Sequence, residues 1–107
     1  MAEAPEVVWT GISGKKYTYW LYKIGTTFNA TPGNYIFCKQ TEKTLTAVYI
    51  GQTGDLSERF DYHHKMPCIK RNEATHICVH KSSKDEDVRK TEENDLIVNY
   101  NPICNRP

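Results

Sequence analysis

Four side-chain types that handle protons, phosphates or cations recur along this sequence of 107 residues. Arg59 and His63 are four residues apart, so on a helix they would be neighbours: a forked cation suited to phosphate beside a group that titrates near neutral pH. Glu93 could hold a cation, and Tyr35 and Tyr49 carry hydroxyls. Each also has a structural alternative. Arg59 and His63 would belong to a solvated helix face, Glu93 to a salt bridge, and the tyrosines to the core.

Five segments have the β-branched and aromatic composition that is typical of strands. They are residues 7–12 and 16–24, which a turn at Ser13-Gly14 joins into a hairpin, then NYIFCKQ, TLTAVYIG and the short THICVH. Residues 25–33 are rich in Gly, Asn and Pro, which predicts a loop. The residues around 41–43 fit a second hairpin turn.

One predicted helix follows the fourth strand. The segment TGDLSERFDYHHK, residues 53–65, predicts a helix that begins at Thr53 or Asp55 and has acids in its first turn. Leu56 and Phe60 would form its apolar stripe, beside Arg59 and His63.

The strongest helix pattern is KDEDVRKTEENDLIVNY, residues 84–100. Ser83 is its predicted N-cap, and Asn101-Pro102 ends it. Residues 66–74 are predicted to contain a short helix after a proline.

The helical wheel of this C-terminal helix contains an anomaly. Leu96, Ile97 and Tyr100 define its apolar face, and Glu93 lies in the middle of that face. A buried carboxylate is costly unless it is paired or binds a metal ion. One interpretation is a salt bridge to Arg89, one turn earlier. The other is a catalytic or metal-binding role.

These elements predict an α+β fold in one globular unit, in which a small antiparallel sheet is flanked by helices. Residues 1–24 would form an N-terminal tail and β-hairpin, and residues 25–107 the remainder of the domain. The net charge of +1 excludes a strongly basic protein, so nucleic-acid contacts would be local. No secretory signal or membrane span is expected.

The four cysteines form no C-x-x-C pair, which predicts reduced thiols in a cytoplasmic protein. His76, Cys78 and His80 alternate, so they would share one face of a strand and offer a zinc site as an alternative. Positions two apart on a strand are separated by roughly 6.5–7 Å, which is too wide for all three to meet one ion easily. A half-exposed polar face is the simpler interpretation.

The order of several short motifs resembles the GIY-YIG nuclease family. The matching features are GNY at residues 33–35, YIG at 49–51 inside VYIGQTGDLSERF, Arg59, His63, and a closing Glu-x-x-x-Ile and Pro-x-x-Asn that begin at Glu93 and Pro102. The resemblance covers about residues 32–105. It departs at Asn34, where the family has an apolar residue.

The resemblance implies a three-stranded antiparallel core within residues 25–107, to which the N-terminal hairpin is an extension. It implies a metal-dependent endonuclease that hydrolyses phosphodiester bonds in nucleic acid, with DNA as the favoured substrate. The alternative is a catalytically silent module on the same fold that binds nucleic acid or protein. A partner protein or a homodimer would provide targeting, and no membrane is implied.

By the same resemblance, Tyr35 and Tyr49 would flank the attacking water, with Tyr49 favoured as the base or its assistant. Arg59 would hold the scissile phosphate. His63 would orient a tyrosine hydroxyl or accept its proton. Glu93 would bind a single Mg²⁺ or Mn²⁺ ion, which prefers oxygen ligands.

Supporting roles are implied for the motif glycine Gly51, for His64 as the neighbouring rival of His63, for Lys65, and for Asn105, which would hydrogen-bond to the site. Basic residues that could contact a nucleic-acid backbone are Lys15, Lys16, Lys65, Lys70 and Arg71.

Overall fold

The computed structural model describes residues 4–58, 60 and 63–107. The strands in this part of the chain are β1 (Glu6–Thr10), β2 (Lys16–Lys23), β3 (Gly33–Gln40), β4 (Leu45–Thr53) and β5 (His76–Lys81). The helices are α1 (Met66–Arg71) and α2 (Glu86–Tyr100), followed by a 3₁₀ turn, η1 (Ile103–Asn105). The predicted α+β class and the five predicted strands are confirmed. A short helix does lie within residues 66–74, but it begins at Met66 and includes Pro67 in its first turn instead of following it.

The five strands form one antiparallel sheet in the order β1-β2-β5-β3-β4. The N-terminal hairpin is therefore part of a continuous sheet, because β5 pairs with both β2 and β3. Since β2 and β3 are each antiparallel to β5, they run parallel to each other. The loop of residues 24–32 that joins them must therefore travel the length of β5 to reach the start of β3.

The sheet has two buried faces. On the first, which we call the helix face, α2 packs over a cluster of Trp9, Tyr17, Tyr19, Ile36, Cys38, Ile50, Cys78 and Leu96. On the second, the cleft face, α1, η1 and the segment after β4 pack over Tyr35, Phe37, Val48, Leu56, Met66, Ile69, Ile77, Val79 and Cys104. The alternation of side chains along each strand assigns neighbouring residues to opposite faces.

Helix α2 buries the face that its sequence predicts, with Leu96 fully buried and Ile97 and Tyr100 packed beside it. The predicted cap is wrong: Asp85, not Ser83, caps the helix, and its side chain accepts a hydrogen bond from the backbone N–H of Asp87. The helix ends at Asn101 in a left-handed conformation, ahead of Pro102 as expected.

The helix predicted over residues 53–65 is wrong for residues 53–58: Thr53 is the last residue of β4, and residues 54–58 form an irregular turn. The Asp55 side chain accepts hydrogen bonds from both the backbone N–H and the hydroxyl of Ser57, and Thr53 Oγ1 accepts one from the N–H of Asp55. Such side-chain bonds compete with helical ones. The N–H of Leu56 also donates to the carbonyl of Thr31 instead of to its own segment.

The expectation of four reduced cysteines is wrong for two of them. Cys68 in α1 and Cys104 in η1 form a disulfide, with their Cα atoms 5.9 Å apart, a separation that suits a bridge. Cys38 and Cys78 are free and fully buried on neighbouring strands. The cytoplasmic location inferred from reduced thiols stays a prediction. Across the described ranges, none of the helices has the length and apolar character needed to cross a bilayer.

Candidate active site

An open cleft of about 700 Å³ lies on the cleft face of the sheet, beside β3 and β4. Four of the five residues predicted to perform chemistry line it: Tyr35, Tyr49, His63 and Glu93. The fifth, Arg59, lies outside the described residues. The cleft therefore brings together side chains from two strands, from the segment before α1, and from α2.

The two tyrosines lie on the same face by ordinary alternation, because Tyr35 pairs with Gly51, two residues after Tyr49 on β4. A bulge lies next to Tyr49. Phe37 pairs with Tyr49, whereas the next residue of β3 pairs with Ala47, so Val48 is an extra residue in the ladder. The bulge lets both Val48 and Tyr49 contribute to the cleft face. The rings of Tyr35 and Tyr49 lie with their centroids 6.2 Å apart.

Gly51 is required by the position of the Tyr35 ring. The two residues pair across β3 and β4. A Cβ atom at position 51 would lie 2.5 Å from Cζ and 2.6 Å from Oη of Tyr35. The glycine of the YIG motif thus provides the space in which the Tyr35 hydroxyl group sits. The first motif glycine has a similar reason, because a Cβ at Gly33 would lie 2.6 Å from the carbonyl oxygen of His80.

His63 connects the segment before α1 to Tyr35. Its Nε2 is 2.7 Å from the Tyr35 hydroxyl oxygen, and its ring also meets the Tyr49 ring edge to face, with centroids 5.0 Å apart. His64 stacks on His63 at 4.6 Å between centroids and is itself exposed. Of the two histidines, His63 is therefore the one in direct contact with a tyrosine hydroxyl.

The hydrogen bond at the second ring nitrogen of His63 determines which of the two nitrogens carries the proton of the neutral ring. The backbone N–H of Lys65 donates to Nδ1 at 3.0 Å, so Nδ1 must be unprotonated. In the neutral ring the proton is then on Nε2, which donates to the Tyr35 oxygen. Burial and the nearby charges of His64 and Lys65 lower the pKa of His63, which favours this neutral form. The hydroxyl proton of Tyr35 is consequently free to be donated elsewhere.

Both tyrosines are held as phenols. Burial raises the pKa of Tyr35 well above its usual value, and the nearby Tyr49 and Glu93 add to that rise. Burial followed by Glu93 also raises the pKa of Tyr49. Neither hydroxyl therefore titrates readily near neutral pH on its own. Their chemistry in this setting is that of hydrogen-bond donors and acceptors.

Glu93 enters the cleft from the buried side of α2, where the wheel places it. Its burial raises the pKa of its carboxyl group, an effect that Lys90 partly offsets. The salt bridge proposed to Arg89 is not among the contacts between described residues. Instead, the buried Arg89 donates to the side-chain oxygen of Gln52 and to the carbonyls of Ser83 and Lys84, each at 2.9 Å.

Asn105 supports the strand that carries Tyr49 and Gly51. Its amide accepts from the N–H of Ile50 at 2.8 Å and donates to the carbonyl of Ile50 at 2.9 Å. Because β4 is an edge strand, these two bonds occupy groups that no further strand pairs. The Asn105 side chain thus pairs with the backbone of the β4 edge at Ile50, between Tyr49 and Gly51.

Four residues of the cleft were not predicted as site residues: Gln52, Thr53, Glu58 and Phe60. Gln52 fixes Arg89, and Glu58 accepts a hydrogen bond from the hydroxyl of Thr53. Gln52 directly follows the YIG motif, so its position was the available signal. Glu58 could not have been found in this way, because its place depends on the irregular turn.

The cleft offers a hard divalent cation one protein carboxylate, and water would have to complete the coordination. Glu93 supplies one carboxylate, and Mg²⁺ commonly uses one or two carboxylates together with water. Within the described residues, no group of three or more His, Cys, Asp and Glu side chains has the arrangement of a metal site. For the zinc alternative, Cys78 is fully buried and His80 Nδ1 is bonded to the carbonyl of Thr18.

Comparison with models of protein families, with curated proteins and with solved structures yields no match to this chain. The resemblance to the GIY-YIG nucleases therefore rests on the motif residues and their spacing.

Proposed function

We propose that this chain is a metal-dependent endonuclease that hydrolyses phosphodiester bonds in nucleic acid, with DNA as the favoured substrate. The observation that carries the proposal is the convergence of Tyr35, Tyr49, His63 and Glu93 on one cleft. These residues come from four separate segments of the sequence, and the motif spacing predicts them to form one site.

The antiparallel arrangement of β5, β3 and β4 supports a GIY-YIG-like core within residues 25–107. In that interpretation, residues 1–24 are an added tail and hairpin that lengthen the sheet at the β5 edge. The departure at Asn34 has a structural role, because its side chain is buried and its Nδ2 donates to the carbonyl of Arg89 at 3.1 Å. This hydrogen bond connects the GNY motif to α2.

We assign Tyr35 the role of a hydrogen-bond donor to the phosphate or to the leaving oxygen. His63 is a positioning residue, which holds the Tyr35 oxygen through Nε2–H and leaves the hydroxyl proton for the substrate. This differs from the expectation that His63 accepts a proton from a tyrosine. Because such donors act best when they are fixed before the reaction, the buried Tyr35 ring suits this task.

We assign Tyr49 the task of orienting the attacking water through its hydroxyl oxygen. Its raised pKa disfavours the phenolate, so it is an assistant and not a free-standing base. Glu93 would hold a divalent cation, which when bound supplies Lewis-acid stabilisation of the leaving oxygen. Water attacks phosphorus as the bond from phosphorus to the leaving oxygen breaks. The water loses one proton to solvent and the leaving oxygen takes one up, so the products are a phosphate monoester and an alcohol. Arg59 keeps its predicted role as the group that holds the scissile phosphate.

A catalytically silent binding module is the second candidate. The net charge of +1 favours a module that binds protein, because tight binding to nucleic acid without a partner usually needs a strongly basic surface. Targeting by a partner protein or by a homodimer and a cytoplasmic location stay predictions under both candidates. The identity of the ion as Mg²⁺ or Mn²⁺ stays a prediction of the nuclease candidate.

The test is cleavage of plasmid, branched DNA, single-stranded DNA and RNA with Mg²⁺, with Mn²⁺ and with EDTA. Glu93→Gln removes the charge and keeps the shape. The matched control is Glu86→Gln on the same helix, an exposed residue that pairs with Lys90. We expect metal-dependent cutting that Glu93→Gln abolishes and Glu86→Gln preserves. A folded wild-type protein that cuts none of these substrates would refute the nuclease proposal.

A further inference from the structure

The exposed part of the cleft face lies on the N-terminal hairpin. Side chains from α1 and η1 cover this face over β3 and β4, but Trp20 on β2 is 37% exposed. An open groove of about 630 Å³ runs along this surface, lined by Thr18, Trp20, Tyr22, Val79, His80 and Lys81. We call Thr18, Trp20, Tyr22 and Lys81 the hairpin platform.

The hairpin platform is continuous with the candidate active site. Trp20 pairs with Val79, Val79 pairs with Tyr35, and Tyr35 pairs with Gly51, so these residues form one row across four strands. Side chains in one row point to the same face of a sheet. Trp20 is two strand spacings from Tyr35, which is about 10 Å. Stacked nucleotides rise about 3.4 Å each, so this distance corresponds to about three nucleotides.

The chemistry of the platform suits bases and phosphates together. Trp20 offers a partly exposed indole, and the Tyr22 ring contacts the Phe28 ring edge to face, with centroids 5.1 Å apart. Lys81 lines the groove, and Lys16 lies on the same face of β2; both lysines are exposed. The opposing charge is Glu6, which pairs with Trp20 from β1. Aromatic rings with flanking lysines are the combination that binds unpaired strands.

We propose that the hairpin platform binds an unpaired strand of the substrate, next to the bond that is cleaved. Bases of this strand stack on Trp20 and Tyr22, while the lysines contact its phosphates. A duplex would keep its bases stacked inside the helix and could not use the aromatic rings. The choice of nucleic acid as the ligand rests on the proposed function. The proposal narrows the substrate to junctions, flaps or other nucleic acids with an unpaired segment.

The test measures binding apart from cleavage. Binding of a labelled single-stranded oligonucleotide, and of the matched duplex, is followed by fluorescence anisotropy in EDTA. The variants are Trp20→Ala, Trp20→Phe and Lys81→Ala. The control is Val98→Ala, since Val98 is 54% exposed on α2, which packs on the opposite face of the sheet. Circular dichroism and thermal unfolding confirm that each variant is folded.

We expect Trp20→Ala to weaken single-strand binding by roughly tenfold or more, Trp20→Phe to restore most of it, and Val98→Ala to change it little. Lys81→Ala should reduce the slope of log K against log salt by about 0.7, the value for one lost phosphate contact on a single strand. Duplex binding should be weaker than single-strand binding in the wild type.

Two results would overturn this proposal. One is equal single-strand affinity for wild type and Trp20→Ala. The other is a lack of strand binding together with self-association that Trp20→Ala removes in sedimentation, which would make the platform a protein interface. Failure of the nuclease proposal is distinguishable, because it would leave Trp20-dependent strand binding intact while no substrate is cut.

Discussion

Breaking the disulfide between Cys68 and Cys104 should remove a large part of the stability of the domain. The two residues are 36 positions apart. In the chain-entropy treatment, closing such a loop lowers the entropy of the unfolded chain by about 13 cal/mol/K, which corresponds to about 4 kcal/mol at 25 °C. Domains of this size are usually stable by only about 5–15 kcal/mol. The reduced protein should therefore keep only a small free energy of unfolding. Its melting temperature should fall by roughly 15 °C.

The loss should also extend to the candidate active site. Cys104 directly precedes Asn105, which holds the β4 backbone at Ile50. Cys68 lies in α1, immediately after the segment that carries His63. Reduction frees both attachments at once, so the cleft should loosen at free energies below that of global unfolding.

Urea unfolding with and without a thiol reductant measures the effect, together with a count of free thiols before and after reduction. The double variant Cys68→Ser/Cys104→Ser should match the reduced wild type. It also serves as the control, because the reductant should leave its unfolding curve unchanged when Cys38 and Cys78 are already free. A reduced and an oxidised protein that differ by less than about 1 kcal/mol would refute the reasoning, as would four reactive thiols in the unreduced unfolded protein.

Three further predictions concern the cleft. Gly51→Ala should destabilise the fold by about 1–3 kcal/mol in urea unfolding, because its Cβ collides with the buried Tyr35 ring; an unchanged midpoint would contradict this. Asn105→Ala should cost about 1–3 kcal/mol, since the N–H of Ile50 loses its partner, and faster hydrogen exchange at that amide is the specific readout. Neutral His63 should stabilise the fold fully above its unfolded pKa of 6.5, and this contribution is lost as pH falls through its lowered folded pKa; an NMR-measured ring pKa at or above 6.5 would contradict it.

Local sequence patterns were sufficient where neighbouring residues determine the structure. The turn at Ser13-Gly14 is such a case, because Gly14 adopts φ of +91°, a conformation that favours glycine. The apolar side of α2 is another, because its spacing alone identifies Leu96 and the position of Glu93.

Patterns failed where distant contacts decide. Residues 53–58 have helical spacing, but the bond from Leu56 N–H to the carbonyl of Thr31 holds them in a turn. The disulfide joins Cys68 to Cys104 because α1 and η1 meet on the cleft face, a contact that cysteine spacing does not reveal. Local patterns could not predict the order of the strands either, because β5 lies between β2 and β3 in the sheet although it is the last strand in the sequence.

That insertion is what makes the hairpin relevant to the cleft. If β2 had paired directly with β3 as its antiparallel neighbour in sequence, the loop between them would have been a short turn. With β5 in between, Trp20 and Tyr35 share one row while the connecting loop passes along β5. Phe28 from that loop packs against Tyr22 and the cleft-face core. The same loop therefore fixes one aromatic of the hairpin platform and, through Thr31, the turn beside the cleft. A substitution in this loop should thus disturb both surfaces together.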